Sequence, residues 1–177
     1  MPDDVSFRRA VASDALCIGV LGMQVFLDTY ATDGIRPSLA REVLEQFDTA
    51  AVASLLADAR VRCIVAERNG HLIGFAQASL HEAHPAIVSA RPAKLDRLYV
   101  QEPFVGIGVG LALLGRIEAL AAADGADMLW LTSWIGNARA LAFYPRRGYD
   151  DVGPTIYAFE GEEHENRLFA KTLRSAG

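Results

Sequence analysis

The chain has 177 residues, and 17 Lys and Arg against 22 Asp and Glu give it a formal net charge of −5. A chain of this length forms one domain of ordinary size, and its acidic balance excludes a nucleic-acid surface built on phosphate contacts. Hydrophobic residues make up 51% of the sequence, which is enough for a buried core and excludes a disordered chain.

The first third of the chain predicts two amphipathic helices. The first helix carries apolar residues at spacings of three and four, and we expect this stripe to face the core: Leu16, Val20, Met23, Leu27 and Tyr30. A second, shorter helix carries the stripe Leu39, Val43 and Phe47, with Glu42 and Glu45 off that stripe.

Strand-like alternation begins near residue 61. Asn69 and Gly70 both tolerate positive φ, so they predict a tight turn between two hairpin strands. The predicted strands are 5–9, 61–66, 72–80, 94–100, 128–132, 156–160 and 168–173, and the later helices are 111–123 and 137–147. This order predicts an α/β fold whose mixed, mostly antiparallel central sheet of about six to seven strands is flanked by helices.

Three alternating glycines, Gly106, Gly108 and Gly110, lie between the strand 94–100 and the following helix. Glycine allows successive N–H groups to turn inward and a ligand to approach the backbone closely. The helix N-terminus adds unpaired N–H groups and a positive dipole end. The segment therefore predicts a phosphate or pyrophosphate site, and the alternative is a turn that only lets helix and strand pack.

Two other phosphate-binding motifs fit the same segment poorly. A dinucleotide fingerprint requires a third glycine where Leu111 stands, and an acidic residue after the next strand, which ends Leu131-Thr132-Ser133-Trp134. A Walker A loop requires Gly-Lys followed by Ser or Thr, and the chain has no such run.

No metal site, membrane span or export signal is expected. His81 and His84 are one residue closer than the HExxH spacing of zinc proteases, which favours a solvated loop. The uncharged run 15–27 is shorter than the roughly 18 apolar residues of a membrane span. The acidic N-terminus shows no signal peptide, and two distant cysteines indicate reduced thiols, so we expect a cytoplasmic protein.

Two motifs in the correct order resemble one known family. Leu98-Tyr99-Val100, followed by residues 105–110 and 112–114, resembles the acyl-CoA-binding motif of the GNAT superfamily of N-acetyltransferases. Residues 137–144, followed by Arg147-Gly148-Tyr149, resemble the N-x-x-A-x-x-F-Y…G-[FY] stretch of the same superfamily. The resemblance implies one GNAT domain over residues 1–177, with acetyl-CoA as cosubstrate and no metal.

The same resemblance implies a set of cofactor-binding residues. They are Leu98, Tyr99, Val100, Val105, Gly106, Ile107, Gly108, Val109, Gly110, Leu111, Asn137 and Tyr144. Backbone groups of the strand would pair with the pantetheine arm, and a strand N–H near Tyr99 or Val100 would stabilise the oxyanion. Asn137 and Tyr144 are seven residues apart and share a helix face, which small Ala140 keeps open.

Two positions depart from the family pattern. The family usually has Arg or Gln at the position of Val105, and no Lys or Arg occurs between Arg97 and Arg116. We therefore expect backbone N–H groups and the helix dipole alone to hold the pyrophosphate. Pro145 follows Tyr144 and predicts a non-helical conformation and a kink at Tyr144.

The resemblance also implies direct attack of an amine on the thioester, with Tyr144 as general acid and Asp96 as general base. An alkylamine titrates near 10.4, so a base is needed at neutral pH. Alternation along the strand predicts that Asp96 points to the same side as Leu98 and Val100. The alternative for Asp96 is a salt-bridged carboxylate without a catalytic role.

Short matches at 26–30, 130–131, 134–137 and 170–173 resemble bacterial spermidine/spermine acetyltransferases and imply a polyamine acceptor. The net charge and four acidic residues favour a small cationic amine: Asp28, Asp33, Glu42 and Glu45. The alternatives are a peptide or protein N-terminal acetyltransferase, and an acyl-CoA-binding sensor with little turnover. The expected partner is a small-molecule amine, and a homodimer remains open.

Overall fold

The computed structural model describes residues 4–159 and 162–173 of the chain. The strands are β1 (Val5–Arg9), β2 (Val61–Arg68), β3 (His71–Leu80), β4 (Pro92–Val100), β5 (Met128–Trp134), β6 (Asp150–Phe159) and β7 (Glu162–Thr172). The helices are α1 (Ala15–Tyr30), α2 (Pro37–Phe47), α3 (Thr49–Ala57), α4 (Val109–Ala123) and α5 (Ala138–Phe143). Short 3₁₀ turns cover Ala12–Asp14, Glu102–Phe104 and Pro145–Arg147.

The seven strands form one sheet in the order β1-β2-β3-β4-β5-β7-β6. All neighbouring strands are antiparallel except β4 and β5, which are parallel. The predicted mixed, mostly antiparallel sheet flanked by helices is confirmed. The predicted turn at Asn69 and Gly70 is also confirmed, because both residues have positive φ, 51° and 78°.

The parallel pair β4–β5 is short. Its paired residues run only from Pro92 opposite Met128 to Lys94 opposite Trp130. Beyond these positions the described parts of the two strands are not paired with each other, so the sheet opens into a gap between residues 95–100 and 131–134. Backbone N–H and C=O groups on the β4 edge of this gap have no strand partner there.

Helices cover both faces of the sheet. Helix α4 lies on one face, where Val109, Leu113 and Ile117 are completely buried against small residues such as Ala76 and Ala93. Helices α1, α2 and α3 cover the other face, where the buried residues include Phe75 and Val65 of the sheet. The gap between β4 and β5 therefore connects two helix-covered sides of the molecule.

The face of α1 that packs on the core differs from the predicted one. Leu16 and Val20 are 59% and 60% exposed, and the buried residues of this helix include Ile18, Leu21 and Phe26. The helix is apolar on several sides, so periodicity alone does not identify its buried face. The prediction from the stripe is therefore wrong for Leu16 and Val20, and also for Tyr30, which is 39% exposed.

Close packing against α2 selects the buried face of α1. A Cβ atom at Gly19 would lie 2.5 Å from the carbonyl oxygen of Phe47, and one at Gly22 would lie 2.4 Å from its ring. Only hydrogen atoms fit at these two positions. The contact with Phe47 therefore requires the two glycines to face α2, and this turns Leu16 and Val20 outward.

One helical segment among the described residues, Ala12–Tyr30, is long and apolar enough to cross a membrane by length and composition. It reaches 19 residues because a 3₁₀ turn directly precedes α1. Its glycine face lies against α2, and Ile18 and Leu21 pack in the core beneath it. These contacts place this face of the helix in the core.

The last two strands are longer than predicted. They begin at Asp150 and Glu162, whereas the predicted strands begin at 156 and 168. The two strands pair antiparallel from Asp150 opposite Ala170 to Phe159 opposite Glu162. Residues 162–165, which are mostly acidic, therefore belong to β7, because pairing with β6 extends the strand through charged residues. Residues 160 and 161 lie outside the described residues.

Candidate active site

The glycine segment forms a loop that leads into α4. Gly106 and Gly108 have φ of 83° and 96°, a region that other residues rarely adopt. Helix α4 begins at Val109, two residues before the predicted start, and Gly110 is its second residue. The first helical hydrogen bond, from the Ala112 N–H to the Gly108 oxygen, is 3.0 Å long.

The first turn of α4 presents backbone donors rather than side chains. The N–H groups of Val109, Gly110 and Leu111 precede the first helical bond, and Gly108 has no side chain to cap them. The side chain of Val109 is completely buried and Ile107 packs against the same core, so these residues contribute only backbone groups. This arrangement suits a phosphate, as the three glycines predicted.

A basic side chain lies near the loop after all, although it comes from another part of the chain. Arg139 in the first turn of α5 donates two hydrogen bonds, of 2.7 and 2.9 Å, to the carboxylate of Glu102. Glu102 is the first residue of the 3₁₀ turn before the loop. Glu102 neutralises the charge of Arg139, so the expectation that backbone groups and the helix dipole alone hold the pyrophosphate stays a prediction.

The side chains of the motif strand point to both faces of the sheet. Leu98 and Val100 pack against the α4 core, whereas the ring of Tyr99 lies 5.5 Å from Phe75 on the opposite face. Residues 98–100 form the β4 side of the gap. Their unpaired backbone groups are available to an extended ligand that takes the place of a strand.

Tyr144 is helical, so the conformation predicted from Pro145 is wrong. Its φ and ψ are −64° and −43°, and Pro145 begins a 3₁₀ turn directly after it. The N–H of Arg147 donates to the Tyr144 oxygen at 2.9 Å, which continues the helical path after the proline. A proline at the first position of such a turn removes no bond that the turn requires. Gly148, with φ of 81°, then ends the segment.

The ring of Tyr144 is buried among aromatic neighbours. It is 8% exposed and lies 5.3 to 5.9 Å from the rings of Phe143, Tyr149 and Phe169. Burial raises the pKa of Tyr144 well above its usual range, and the phenols of Tyr99 and Tyr30 raise it further. The hydroxyl is therefore protonated at neutral pH and can serve as a donor.

Asn137 has a structural role in addition to the binding role that the resemblance implies. Its side-chain oxygen accepts a hydrogen bond from the Ala140 N–H at 3.0 Å and so caps α5. The side-chain N–H groups of Asn137 are therefore the groups that it can still offer to a ligand. The predicted helix 137–147 is divided into α5 and the turn that begins at Pro145.

A β-bulge in β4 changes the face on which Asp96 lies. Gln77 of β3 pairs with Arg97 and Ala78 pairs with Leu95, so Asp96 is an extra residue without a partner in β3. Asp96 therefore lies on the face of Arg97 and Tyr99 rather than on that of Leu98 and Val100. The predicted orientation is wrong, because alternation holds only along a strand without a bulge.

Asp96 is held by polar neighbours in a mostly buried position. Ser79 donates a hydrogen bond of 2.6 Å to its Oδ2, and Gln77 donates a weaker one of 3.5 Å. The ammonium of Lys94 lies 3.7 Å from Oδ1. Burial nevertheless raises the pKa of Asp96, against the effects of Ser79, Lys94, Arg97 and Gln77. A carboxylate with a raised pKa is a better proton acceptor.

A cavity of about 620 Å³ lies beside Asp96, on the face of the sheet that α1 and α2 cover. Its aromatic lining residues are Phe26, Tyr30, Tyr99, Trp134 and Tyr157. Its charged lining residues are Asp33, Arg36, Glu42, Lys94, Asp96 and Arg97. Large aromatic walls with a few charged groups are typical of a small-molecule site.

Only two of the four acidic residues expected at the acceptor site line this cavity. Asp33 and Glu42 do so, whereas Asp28 and Glu45 are exposed elsewhere on α1 and α2. Glu42 is buried, three residues after Leu39, so it belongs to the buried stripe of α2 rather than lying off it. The cationic residues Arg36, Lys94 and Arg97 were not predicted here, since no local motif marks them.

The two histidines His81 and His84 do not line this cavity. His84 packs against Trp130 with ring centres 5.0 Å apart, and its Nδ1 accepts a hydrogen bond from the Ala86 N–H. Within residues 4–159 and 162–173, no group of three or more His, Cys, Asp or Glu side chains could hold a metal ion.

Comparisons with known proteins give the family. The family described as Acetyltransferase (GNAT) family matches residues 26–149. An uncharacterized N-acetyltransferase of Mycobacterium bovis is 29% identical over 135 residues, which cover 73% of this chain and 81% of that protein. An IAA acetyltransferase of Azospirillum brasilense is 27% identical over 154 residues, which cover 87% of this chain and 89% of that protein.

A solved structure gives the same fold. The PaiA N-acetyltransferase of Thermoplasma acidophilum, in complex with coenzyme A, is similar with a TM-score of 0.74 at 17% identity, over 95% of this chain and 98% of that one. The family match spans well over half of this chain, and it includes both the glycine loop and Tyr144. The chain therefore belongs to the GNAT family of acetyltransferases and is an acetyl-CoA-dependent N-acetyltransferase.

Proposed function

We propose that the chain transfers the acetyl group of acetyl-CoA to a primary amine of a small molecule that binds in the cavity. The gap between β4 and β5 carries this proposal. It has the first turn of α4 and Tyr144 on one side of the sheet and the cavity with Asp96 on the other. A thioester in the gap would thus meet phosphate-binding donors at one end and an amine at the other.

The residues of the site divide the binding of acetyl-CoA between them. The N–H groups of Val109, Gly110 and Leu111 hold the pyrophosphate. The unpaired edge of β4 from Leu98 to Val100 pairs with the pantetheine arm. An N–H of the same edge stabilises the oxyanion that forms on the carbonyl.

Asp96 takes a proton from the acceptor ammonium, either directly or through a water molecule. An alkylammonium has a pKa near 10.4, so the neutral amine is rare at neutral pH without such a base. Burial raises the pKa of Asp96, so the difference between its pKa and that of the ammonium becomes smaller. Its hydrogen bond from Ser79 fixes the carboxylate toward the cavity face.

The transfer forms a C–N bond and breaks the C–S bond of the thioester. The amine nitrogen loses two protons, one of which leaves to solvent through Asp96, while the sulfur gains one from Tyr144. A thiol has a pKa near 8.5. Because burial raises the pKa of Tyr144, proton donation to the thiolate is less favourable than from an ordinary tyrosine. The hydroxyl regains its proton from the intermediate or from water as the product forms.

The polyamine acceptor remains a prediction. Asp33, Glu42 and Asp96 would attract a cationic molecule, and the aromatic walls would favour it further. Arg36, Lys94 and Arg97 line the same cavity and oppose a second or third ammonium group. We place the protein in the cytoplasm as a small-molecule enzyme. The homodimer is tested separately by sedimentation of the purified chain.

A panel of amines with acetyl-CoA tests the proposal through release of the CoA thiol. We expect thiol release with at least one small primary amine and none without an amine. Spermidine as the best substrate would support the polyamine prediction. Activity on peptide amines alone would favour the N-terminal acetyltransferase alternative. Tight CoA binding without thiol release from any amine would favour the sensor and contradict the proposal.

A further inference from the structure

Arg97 differs from the other charged residues of the cavity in its partners. No carboxylate of the described residues forms an ion pair with it, although Asp96 is its neighbour in sequence. Its guanidinium instead donates hydrogen bonds to two neutral amides, Gln77 at 2.9 Å and Gln46 at 3.0 Å. A partly buried cation whose two hydrogen bonds go to neutral amides gains less from them than from a paired carboxylate, although the charge of Asp96 is nearby.

The two glutamines hold the cation apart from two carboxylates. Gln77 accepts from Arg97 through Oε1 and donates from Nε2 to Asp96. Gln46 accepts from Arg97 in the same way and donates from Nε2 to Glu42 at 2.9 Å. Each amide can satisfy both neighbours only in this orientation, because a guanidinium has no acceptor and a carboxylate has no donor.

The orientation of Arg97 is fixed, its guanidinium lies near the phenol of Tyr99, and the two glutamines occupy only part of its donor set. The guanidinium lies over the ring of Phe47, 4.9 Å from its centre. The two glutamines take one N–H from each terminal nitrogen, and a guanidinium has five N–H groups in a planar fork. The residue lines the cavity, so its remaining donors can meet a ligand there. A planar fork of this kind matches a carboxylate.

We propose that the acceptor is an amino carboxylate of amino-acid type, whose carboxylate binds Arg97 and whose amine lies at Asp96. This proposal rests on the proposed acetyl transfer and names the acceptor class of the same site. The bulge places the two opposite charges side by side on the cavity face, which matches the two charges of such a molecule. The aromatic walls accommodate its side chain. Arg97 is then a specificity-determining residue, and a polyamine is a poor substrate.

Matched pairs of amines that differ only in the carboxylate test this proposal. Phenylalanine with phenethylamine, and 4-aminobutyrate with propylamine, are assayed by thiol release beside spermidine. We expect kcat/KM for a carboxylate-bearing member to exceed that of its partner at least about tenfold, as expected for a charge-assisted hydrogen bond. Equal values for both members, or spermidine as the best substrate, would overturn the proposal and leave the acetyl transfer intact.

Variants of Arg97 separate substrate binding from a merely structural role. Arg97→Gln should lower kcat/KM on the carboxylate-bearing amine about tenfold to a hundredfold, mainly through KM, and leave the plain amine within about threefold. Arg97→Lys keeps the charge and should retain part of the preference. Arg60→Gln, on the surface beside Asp58, is the control and should leave the preference unchanged. A similar loss on both amines would assign Arg97 to folding instead.

A binding measurement keeps the proposal testable if no amine is acetylated. N-acetylphenylalanine is titrated into CoA-saturated wild type and into Arg97→Gln, and heat is recorded. Binding to the wild type and at least tenfold weaker binding to the variant would support the carboxylate site even if turnover fails. Equal affinity for both proteins, or no binding at all, would overturn it.

Discussion

The glycine loop and the acceptor cavity lie on opposite sides of the gap in the sheet, and they are built in different ways. The loop is one continuous segment whose backbone N–H groups are the proposed phosphate donors. The cavity is assembled from side chains far apart in sequence, since Arg97 meets a glutamine 51 positions away and another 20 positions away. The comparison indicates that a cosubstrate site is encoded by local conformation, and an acceptor site by tertiary contacts.

The largest expected effect lies on the cavity side. Asp96→Asn removes the proton acceptor and keeps the size of the side chain, so kcat/KM should fall by a factor on the order of 10² to 10⁴. Steady-state thiol release measures this, and CoA affinity should not change. Glu45→Gln, which changes an exposed carboxylate outside the cavity, should stay near wild type. A fall of less than twofold in Asp96→Asn would contradict the role of base.

The pH profile of the wild type sharpens the same assignment. Asp96 must be ionised to accept a proton, and burial raises its pKa above the ordinary value near 3.9. As the pH falls, the wild type should therefore lose activity at a pH above about 3.9. The residual activity of Asp96→Asn should not show this loss. If Asp96→Asn loses activity at the same low pH as the wild type, the protonation of another group causes that loss.

Tyr144, at the gap between the two regions, should show the next largest effect. Tyr144→Phe deletes only the hydroxyl, so turnover should fall by a factor on the order of 10² while CoA affinity changes little. Tyr149→Phe is the matched control, because its hydroxyl bonds to Glu118 and lies in the same aromatic cluster. Turnover of Tyr144→Phe within twofold of the wild type would reduce Tyr144 to a packed aromatic beside the cosubstrate.

The helices that cover the cavity can be disturbed without touching the loop. Gly22→Ala places a methyl group against the ring of Phe47, and overpacking of this kind lowers the free energy of unfolding by about 1 to 3 kcal/mol. Gly115→Ala, an exposed helical glycine with no atom within 4 Å of the added methyl, should not destabilise the protein. Chemical denaturation compares the two, and equal stabilities would contradict the close contact.

A smaller effect is expected at the loop. Gly108→Val forces a branched residue into φ of 96°, and its side chain blocks the approach of a phosphate to the first turn of α4. Calorimetric titration should show CoA affinity reduced about tenfold, with the fold retained. Gly153→Val, at another glycine of positive φ far along the chain, controls for strain alone. Unchanged CoA affinity would remove the loop from the binding site.

The order of strands and helices and the glycine loop could be predicted from the sequence, because both depend on neighbouring residues. Gly106, Gly108 and the start of α4 follow from local backbone preferences. The exposed face of α1 could not be predicted, since contact of its glycines with Phe47 decides it. The bulge at Asp96 could not be predicted either, because it depends on pairing between strands and has no local sequence signal.

The acceptor residues escaped prediction for a related reason. Gln46, Gln77 and Arg97 form no motif, and each alone is an ordinary polar residue of a helix or strand. Arg139 meets Glu102 only through a contact between residues 37 positions apart. The motif singles out Tyr144, whereas its helical conformation before Pro145 depends on the turn that follows.

The bulge in β4 also has a genetic consequence. Loss of the Asp96 codon would leave Leu95 opposite Ala78 and Arg97 opposite Gln77, which are the pairs that β4 and β3 already form. The rest of β4 would then alternate strictly and keep its two faces, so the deletion would remove the proposed base and spare the core. Loss of one residue elsewhere in the strand would instead exchange the faces of the residues beyond it.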